Sequence, residues 1–457
     1  MPEPMPATLL QSWERTVRTQ PEAPALVDAA AGRVWTRRQL DALASDWPPG
    51  PAVELTGRAV AFAEPNGAAW WQVFLGLLQR GAVAIALDPG DPDGAQRRAA
   101  ASAGASFLWR AGRLESLGDR RPFRDGRRLV KLTSGSTGKP RVLPFTDAQM
   151  LADGRQICAT MEIRPDDLNL GLIPFGHSYG LGNLVVPLLA QGTAIVCADS
   201  QLPQAIAATV QAWRPTVFPA VPTLLRALVE TSVAPGELDS LRTVISAGAP
   251  LAPELARGFH ARFGRKIHNF YGSSETGGIT YDRGGDAALT GRSVGAPLEG
   301  VRLRFEPRGR FSVESAAVFT LGNRRRRRGR GRHRPADRAQ LDAQGELVLL
   351  GRTGRFVKVG GRRLNLGEVE TALRSIPGVR DAFVALHAGR ADALAAAVAG
   401  AIAPDALRGA LRERLAPWKI PRRLVVLPEL PVTARGKTDT RRLRELLGRG
   451  PSPQSRS

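Results

Sequence analysis

Residues 132–141 read Leu-Thr-Ser-Gly-Ser-Thr-Gly-Lys-Pro-Arg, a stretch that combines hydroxyls, glycines and two cations. Glycine lets backbone N–H groups approach a ligand closely, hydroxyls donate hydrogen bonds and the cations supply charge, so the composition predicts a phosphate-binding loop. A Walker loop would instead need G-x-x-x-x-G-K-[ST] at the start of a helix. Here the glycines are closer together, and Pro140 disfavours helical geometry at Lys139. The alternative is a polar turn without a ligand.

Later segments of the chain support the phosphate-binding interpretation. Residues 269–277 read NFYGSSETG, 293–298 read SVGAPL, 351–352 read GR, 358–370 read KVGGRRLNLGEVE, and 431–437 read PVTARGK. Together with the loop, and in this order, these segments resemble the motifs of the adenylate-forming (AMP-binding) superfamily, acyl-CoA synthetases in particular. The superfamily also includes the adenylation domains of peptide synthetases and the luciferases. The resemblance extends from about Ser12 to about Leu447.

The resemblance implies an ATP-dependent acid–thiol ligase and gives a role to each matching residue. Tyr271 would pack on adenine, Ser274 would contact the α-phosphate, and Glu275 would hold Mg²⁺. Lys437 would be the catalytic lysine of the small domain. The remaining expected ATP contacts are Thr133, Ser134, Gly135, Ser136, Thr137, Gly138, Lys139, Gly248, Asp337 and Arg352.

The chemistry of these side chains suits the reaction. Joining a carboxylate to ATP brings two anions together, so the site must supply positive charge and placement. Glu275 is a hard oxygen ligand of the kind that Mg²⁺ prefers, and Lys437 carries a compact charge on a long stem. Each residue taken alone would be read as a solvated surface charge.

The predicted ribose contact departs from the family pattern. The family has Thr-Gly-Asp where this chain has Pro335-Ala336-Asp337. Asp337 nevertheless keeps the family's spacing to Arg352, and Asp342 is the alternative.

A few residues narrow the identity of the acid and of the thiol acceptor. His177, in the segment PFGHSYG, matches a pocket motif, although a core histidine is an equal alternative. Its neighbours lack the aspartate that binds an amino group in peptide synthetases, and Gly272 stands where acetate-specific relatives carry tryptophan. A fatty or aromatic acid is therefore expected. Gly360 and Gly361 resemble the family's loop that lines the pantetheine tunnel, which favours CoA as the acceptor.

Two alternatives to a CoA ligase remain open. A ligase of the same fold could load an acyl carrier protein, whose acidity would suit a basic chain. A degenerate, non-catalytic binding protein is the other alternative, because a fold does not establish an activity.

Length and periodicity predict two domains. The chain has 457 residues, more than the ~250–300 at which single cores usually divide. Alternating short apolar runs and helical patterns, such as strand 60–63, helix 67–79 and strand 82–87, predict an α/β fold with a largely parallel sheet. We expect a large N-terminal domain over 1–352, a smaller mobile α+β domain over 353–447 and a disordered tail over 448–457. Strands are also expected at 170–174, 194–198, 216–220, 243–247, 356–359 and 382–386, with helices at 181–190, 367–375 and 404–415.

The charge and the cysteine content narrow the classes of function and the cellular location that the sequence allows. The net charge is +22, and the arginine-rich segment 324–334 contributes much of it. Basic blocks can bind nucleic acid, but this segment lacks aromatic residues for base stacking, so a solvated, mobile surface loop is favoured. Cys158 and Cys197 are expected as core thiols, and zinc is not implied. Residues 1–13 lack a secretory pattern and 168–198 is too interrupted to span a membrane, so a cytoplasmic protein is expected.

Overall fold

The computed structural model describes residues 7–47, 53–124, 126–133, 141–198, 200–320, 331–352, 356–359, 362–387, 390–433 and 438–448. The chain forms two compact units. The larger comprises Met1–Arg304, Ser312–Arg334 and Asp342–Leu347, and the smaller comprises Phe305–Phe311, Pro335–Leu341 and Val348–Ser457. Three stretches within the range 1–352, which are Phe305–Phe311, Pro335–Leu341 and residues 348–352, fall in the smaller unit. The domain boundary at residue 352 stays a prediction.

The described residues contain helices and strands in alternation over most of the larger unit. The helices are α1 Leu9–Thr19, α2 Arg37–Ser45, α3 Ala68–Gln79, α4 Asp93–Ser102, α5 Asp147–Met161, α6 Ser178–Gly180, α7 Val186–Gln191, α8 Pro203–Trp213, α9 Pro222–Glu230, α10 Pro253–Phe263, α11 Asp286–Thr290, α12 Leu366–Arg374, α13 Pro404–Arg414 and α14 Thr440–Gly448. A π-helical turn, Leu181–Val185, joins α6 to α7, and short 3₁₀ turns cover Pro235–Leu238, Pro307–Gly309 and Pro417–Lys419.

The strands alternate with these helices. They are β1 Pro24–Asp28, β2 Arg33–Thr36, β3 Ala59–Phe62, β4 Val83–Ala86, β5 Phe107–Arg110, β6 Arg113–Ser116, β7 Arg127–Thr133, β8 Arg141–Thr146, β9 Leu168–Leu170, β10 Ala194–Cys197, β11 Val217–Ala220, β12 Thr243–Ser246, β13 Ile267–Ser273, β14 Gly277–Tyr281, β15 Ala296–Pro297, β16 Arg302–Glu306, β17 Arg310–Ser315, β18 Gly331–His333, β19 Asp337–Leu341, β20 Leu347–Arg352, β21 Phe356–Val359, β22 Arg362–Asn365, β23 Val379–His387, β24 Arg390–Gly400 and β25 Arg423–Leu427.

The predicted α/β fold is confirmed by the sheets of the larger unit. Within the described residues, one sheet has nine strands in the order β15-β14-β13-β12-β11-β9-β10-β1-β2 and another has six in the order β6-β5-β3-β4-β7-β8. The central strands of both sheets pair in parallel, and antiparallel pairs occur toward the edges. Parallel strands need crossover helices that cover both faces, which accounts for the alternation.

One apolar core is shared by the two large sheets. Alternate residues of a strand face opposite sides, so Val60 and Phe62 of β3 enter the core that also contains Ile195 of β10. Their neighbours Ala59 and Ala61 face a separate cluster under α4. Helices α1, α2, α3, α5 and α7 contribute to the shared core, which holds the large aromatic side chains of Trp13, Trp47, Trp70 and Trp71.

The smaller unit is α+β, as predicted. Its three-stranded sheet has the order β23-β24-β25. Leu373 of α12 and Leu407 of α13 pack with Val398 on one face of this sheet, whereas Leu443 of α14 packs with Ala397 on the other. Each face of the sheet is therefore covered by helix.

Some predicted elements differ from the observed ones. The strand expected at 170–174 ends at Leu170. Residues Gly331–His333, expected in a loop, instead form β18, which pairs with β17 through Val313 and His333. Residues 321–330, which include the first part of that arginine-rich segment, lie outside the described residues, as does the tail 449–457. Gly448, expected in the disordered tail, ends α14. Among the described helices, none combines the length and apolar character that a membrane crossing requires.

Candidate functional site

The predicted phosphate loop connects two paired strands. Thr133 at the end of β7 and Arg141 at the start of β8 are register partners in an antiparallel pair. In the sequence, residues 134–140 connect these two strands of the six-stranded sheet. The predicted contacts Ser134, Gly135, Ser136, Thr137, Gly138 and Lys139 lie outside the described residues, as does the side chain of Thr133.

The segment that carries Glu275 is a tight connection between β13 and β14. Thr276 is fully buried, and its hydroxyl accepts a hydrogen bond from the Ser273 amide at 3.3 Å and lies 3.0 Å from the Ser273 hydroxyl. The Phe319 amide donates to the Glu275 carbonyl at 2.8 Å. These bonds hold the backbone on both sides of Glu275, because a buried polar group costs free energy unless it is paired.

The Glu275 carboxylate faces the end of the predicted phosphate loop. Arg141 Nη1 donates to Glu275 Oε1 at 2.7 Å, and the Glu275 side chain is 14% exposed. No group of three or more His, Cys, Asp or Glu side chains able to hold a metal occurs in the part of the chain that the structure describes. One carboxylate together with phosphate oxygens is, however, a common set of ligands for Mg²⁺. The role of Glu275 as a magnesium ligand stays a prediction.

His333 is a neighbour of this carboxylate that the sequence analysis missed. Burial lowers the pKa of His333; the charge of Glu275 opposes the shift and that of Arg141 adds to it. His333 follows the arginine run directly, so its sequence context suggested only a solvated segment. The pairing of β18 with β17 brings it to the site, and no local sequence pattern signals that pairing.

Ser274 and the segment after Phe175 lie together. Ser178 Oγ donates to Ser274 Oγ at 2.9 Å, and His177 Nε2 lies 3.8 Å from Asp88 Oδ2. Asn66 fixes the preceding backbone by accepting from the Phe175 amide at 2.8 Å and donating to the Ile173 carbonyl at 2.9 Å. Because Ser178 follows His177 directly, its hydrogen bond to Ser274 places His177 near Ser274.

Aromatic side chains flank the same region. The Tyr179 hydroxyl donates to the Ile245 carbonyl at 3.3 Å, and its ring centroid lies 5.9 Å from that of Phe270. Burial raises the pKa of Tyr179 well above its usual value, so this hydroxyl stays protonated. Tyr271 lies in β13 and is partly exposed. Gly248, with φ +85°, follows β12.

Gly272 has little room for a side chain. A Cβ atom at this position would lie 2.5 Å from the Gly277 carbonyl oxygen and 3.3 Å from Gly278 Cα. The space beside Gly272 is therefore taken by the backbone of its own loop. Its part in the acyl pocket stays a prediction.

The remaining predicted site residues belong to the smaller unit. Asp337 begins β19 and Arg352 ends β20, two strands of one sheet. The short connection between these strands makes them an antiparallel hairpin, so positions 337 and 352 lie at the same end of it. Gly360, Gly361 and Lys437 lie outside the described residues, as does the side chain of Arg352.

Comparison with protein families identifies the chain. The profile of the AMP-binding enzyme family matches residues 128–306, and that of the AMP-binding enzyme C-terminal domain matches residues 368–437. Together they match more than half of the chain. The chain belongs to the adenylate-forming superfamily. The first match contains the phosphate loop and the segments 269–277 and 293–298, and the second contains the segment 431–437.

The relatives of this chain include a peptide synthetase and a CoA ligase. The chain is 29% identical over 481 residues to the probable non-canonical nonribosomal peptide synthetase CymA of Salinispora arenicola, covering 96% of this chain and 6% of CymA. It is 30% identical over 342 residues to the benzoate–CoA ligase of Thauera aromatica, covering 68% of this chain and 64% of the ligase. The chain thus spans less than two thirds of the length of either relative.

A solved structure confirms the fold. ATP-bound MatB from Rhodopseudomonas palustris superposes with a TM-score of 0.81 at 21% identity, over 97% of this chain and 99% of MatB. The shared fold thus extends over both units of the present chain.

Proposed function

We propose that this protein uses ATP to activate a carboxylic acid and then transfers the acyl group to a thiol. In the first step a carboxylate oxygen attacks the α-phosphorus of ATP, the bond to the β-phosphate oxygen breaks, and pyrophosphate leaves. In the second step the sulfur of a thiol attacks the acyl carbon and the thiol proton is released. The bond from this carbon to the phosphorus-bound oxygen breaks, and AMP leaves with that oxygen. The observation that carries this proposal is the Arg141–Glu275 contact at 2.7 Å, which joins the phosphate loop to the Glu275 segment in a chain of this superfamily.

Each site residue has its own proposed role in the first step. Glu275 would hold Mg²⁺, which neutralises phosphate charge while the two anions meet. Thr133 to Lys139 and Gly248 would contact ATP, Ser274 the α-phosphate and Tyr271 the adenine. Asp337 and Arg352 would bind the ribose. Lys437 would stabilise the charge that develops as pyrophosphate leaves, since an ammonium about 4 Å from an anion supplies about 4 kcal/mol at an effective dielectric constant near 20.

An aromatic or other apolar acid is the proposed substrate class. Tyr179 and Phe270 flank the region beside His177 and Ser274, and apolar walls with a few polar groups are typical of sites for such ligands. The similarity to a benzoate–CoA ligase points in the same direction. CoA is the proposed acceptor, through a tunnel at Gly360 and Gly361.

An acyl carrier protein is the second candidate acceptor. The similarity to the peptide synthetase CymA and the net charge of +22 favour it, because an acidic partner would be attracted to a basic chain. A protein that binds without turnover would show neither half-reaction.

A panel of carboxylic acids tests these alternatives. Benzoate, 4-hydroxybenzoate, hexanoate and acetate are each supplied with ATP and magnesium, and acid-dependent exchange of pyrophosphate into ATP is measured. We expect exchange with at least one aromatic or longer acid and little with acetate. Mass spectrometry with CoA and with a phosphopantetheinylated carrier protein then identifies the acceptor. Absence of exchange with every acid would favour the non-catalytic alternative.

A further inference from the structure

A buried ion pair lies next to the candidate site and has no part in the proposed chemistry. Lys131 of β7 and Asp153 of α5 are each 2% exposed, and Lys131 Nζ lies 4.0 Å from Asp153 Oδ2. The same nitrogen lies 4.4 Å from the centre of the Phe145 ring. Leu129, two positions earlier on β7, belongs to the shared apolar core, so Lys131 occupies a core-facing strand position. A charge at such a position requires compensation.

The electrostatics of the pair reflect this burial. Burial lowers the pKa of the Lys131 ammonium and raises that of the Asp153 carboxyl, and the charge of each partner opposes the shift of the other. Replacing a buried ion pair with apolar groups is often neutral or stabilising for a fold. The stability of the fold therefore gives no obvious reason for this pair.

Asp153 contacts the backbone that follows Glu275. Its Oδ1 accepts a hydrogen bond from the Gly278 amide at 2.9 Å. Gly277 has φ +70°, and a Cβ atom there would lie 2.1 Å from the same oxygen. The carboxylate thus packs against the point at which the chain turns from Glu275 into β14.

The same face of α5 also fixes the other side of Glu275. Gln149, four residues before Asp153 and hence on the same helix face, donates from Nε2 to the Val318 carbonyl at 2.9 Å. The next amide, that of Phe319, donates to the Glu275 carbonyl at 2.8 Å. Helix α5 therefore holds both flanks of Glu275 through two buried polar side chains.

Lys131 connects this arrangement to the phosphate loop. It lies two residues before Thr133, the last residue of β7, after which the loop begins. The pair therefore joins the strand that leads into the loop to the backbone that carries Glu275.

We propose that Asp153, whose buried charge Lys131 compensates, is a positioning residue that sets Glu275 relative to Arg141 at the start of β8. The inference rests on the proposed function, because it assigns a purpose to the placement of Glu275. A buried backbone amide that loses its acceptor costs free energy, so the Asp153 carboxylate oxygen holds the Gly278 amide in place. A displacement of about 1 Å near a reacting centre can cost about 10²-fold in rate.

Two double variants separate positioning from stability. Lys131→Met with Asp153→Asn removes both charges but keeps an oxygen acceptor for the Gly278 amide. Lys131→Met with Asp153→Leu removes both charges and the acceptor. Neither variant leaves a lone buried charge. A control variant, Arg242→Met with Asp167→Asn, neutralises another ion pair. In this pair Arg242 Nη2 lies 2.6 Å from Oδ2 of Asp167, the residue that directly precedes β9.

The first readout is pyrophosphate exchange as a function of Mg-ATP concentration, alongside thermal unfolding. We expect the Asn-containing variant and the control to retain exchange to within about tenfold. We expect the Leu-containing variant to fall about 10²-fold, mainly in kcat, at a similar unfolding temperature. Equal rates in the two Lys131→Met variants would overturn the proposal.

The second readout does not depend on activity. Hydrogen–deuterium exchange at the Gly278 amide is expected to be slow in the wild type and in the Asn-containing variant, and fast in the Leu-containing variant. Equal exchange in all three would overturn the inference even in an active enzyme. Conversely, a wild type that activates no acid would contradict the proposed function, while the amide readout would still test the link between Asp153 and Gly278.

Discussion

Arg141 Nη1 lies 2.7 Å from Glu275 Oε1, and 134 positions of sequence separate the two residues. The contact joins the six-stranded sheet, through β8, to the end of β13 in the nine-stranded sheet. The two segments with the strongest resemblance to family motifs therefore meet through a cation and a carboxylate. A metal-bound triphosphate needs both kinds of group close together.

The first prediction concerns this contact. Because the Arg141 side chain is 60% exposed, Arg141→Gln should change the free energy of unfolding by no more than about 1 kcal/mol. Pyrophosphate exchange should nevertheless fall about 10²-fold, as for loss of one preorganised charged group. Urea unfolding and exchange kinetics measure the two effects.

A matched pair on α10 provides the control. Arg257 lies 2.9 Å from Glu254, and both side chains are exposed, so Arg257→Gln should affect neither quantity appreciably. A large loss of stability without loss of exchange in Arg141→Gln would show that the Arg141 contact is structural.

The second prediction concerns Gly272. Since a Cβ atom there would lie 2.5 Å from the Gly277 carbonyl oxygen, Gly272→Ala and Gly272→Trp should both displace the loop that carries Glu275. We expect pyrophosphate exchange to fall for every acid, with the ratio between benzoate and acetate little changed. Gly258→Ala is the control, because a Cβ atom there makes only an ordinary contact with Val229 at 3.5 Å. A shift of preference toward acetate in Gly272→Trp would instead place residue 272 in the acyl pocket.

The third prediction concerns the pH dependence of stability. Burial lowers the pKa of His333 below 6.5, so the folded state takes up this proton less readily than the unfolded chain. As the pH falls from about 7 to about 5, the unfolded state binds more protons and the folded state loses stability. His333→Gln should reduce this loss, as measured by urea unfolding at several pH values. Identical pH slopes for wild type and variant would refute the assignment.

The fourth prediction concerns the cysteines. Burial raises the pKa of Cys158 to about 12 and also raises that of Cys197, and each is 7% exposed. The thiolate is the reactive form of cysteine, so neither should react with a thiol reagent in the native protein near pH 8. Both should react in denaturant. Rapid labelling of the folded protein would contradict the burial of these side chains.

The sequence predicted those elements whose residues carry a strong local signal. The unit β3-α3-β4 was predicted nearly to its ends because each strand is a short apolar run and Gly67 precedes the helix. By contrast, β24 was not predicted, since three of the five apolar residues in Leu394–Val398 are alanine, and alanine favours helices when isolated. The pairing of β24 with β23 and β25 overrides that preference.

In the candidate site, too, the residues with a local sequence signal were predicted and those placed by long-range contacts were not. Glu275 and Ser274 were predicted from a motif and lie beside Arg141 and Ser178. The positions of His333 and Asp153 near the Glu275 segment were not predicted, because long-range packing sets both of them. Lys131 shows the reason most clearly: a lysine in a strand is unremarkable until its neighbours reveal which face is buried.

The central claim is that the chain forms an acyl-adenylate, and the fate of carboxylate oxygen tests it most directly. The protein is supplied with ATP, magnesium, a thiol acceptor and an activating acid whose carboxylate carries heavy oxygen, and the nucleotide products are examined by mass spectrometry. The account predicts AMP that carries one labelled oxygen, formed in the wild type and reduced at least ~10²-fold in Lys437→Ala. Release of ADP with label in inorganic phosphate, or unlabelled AMP, would contradict it.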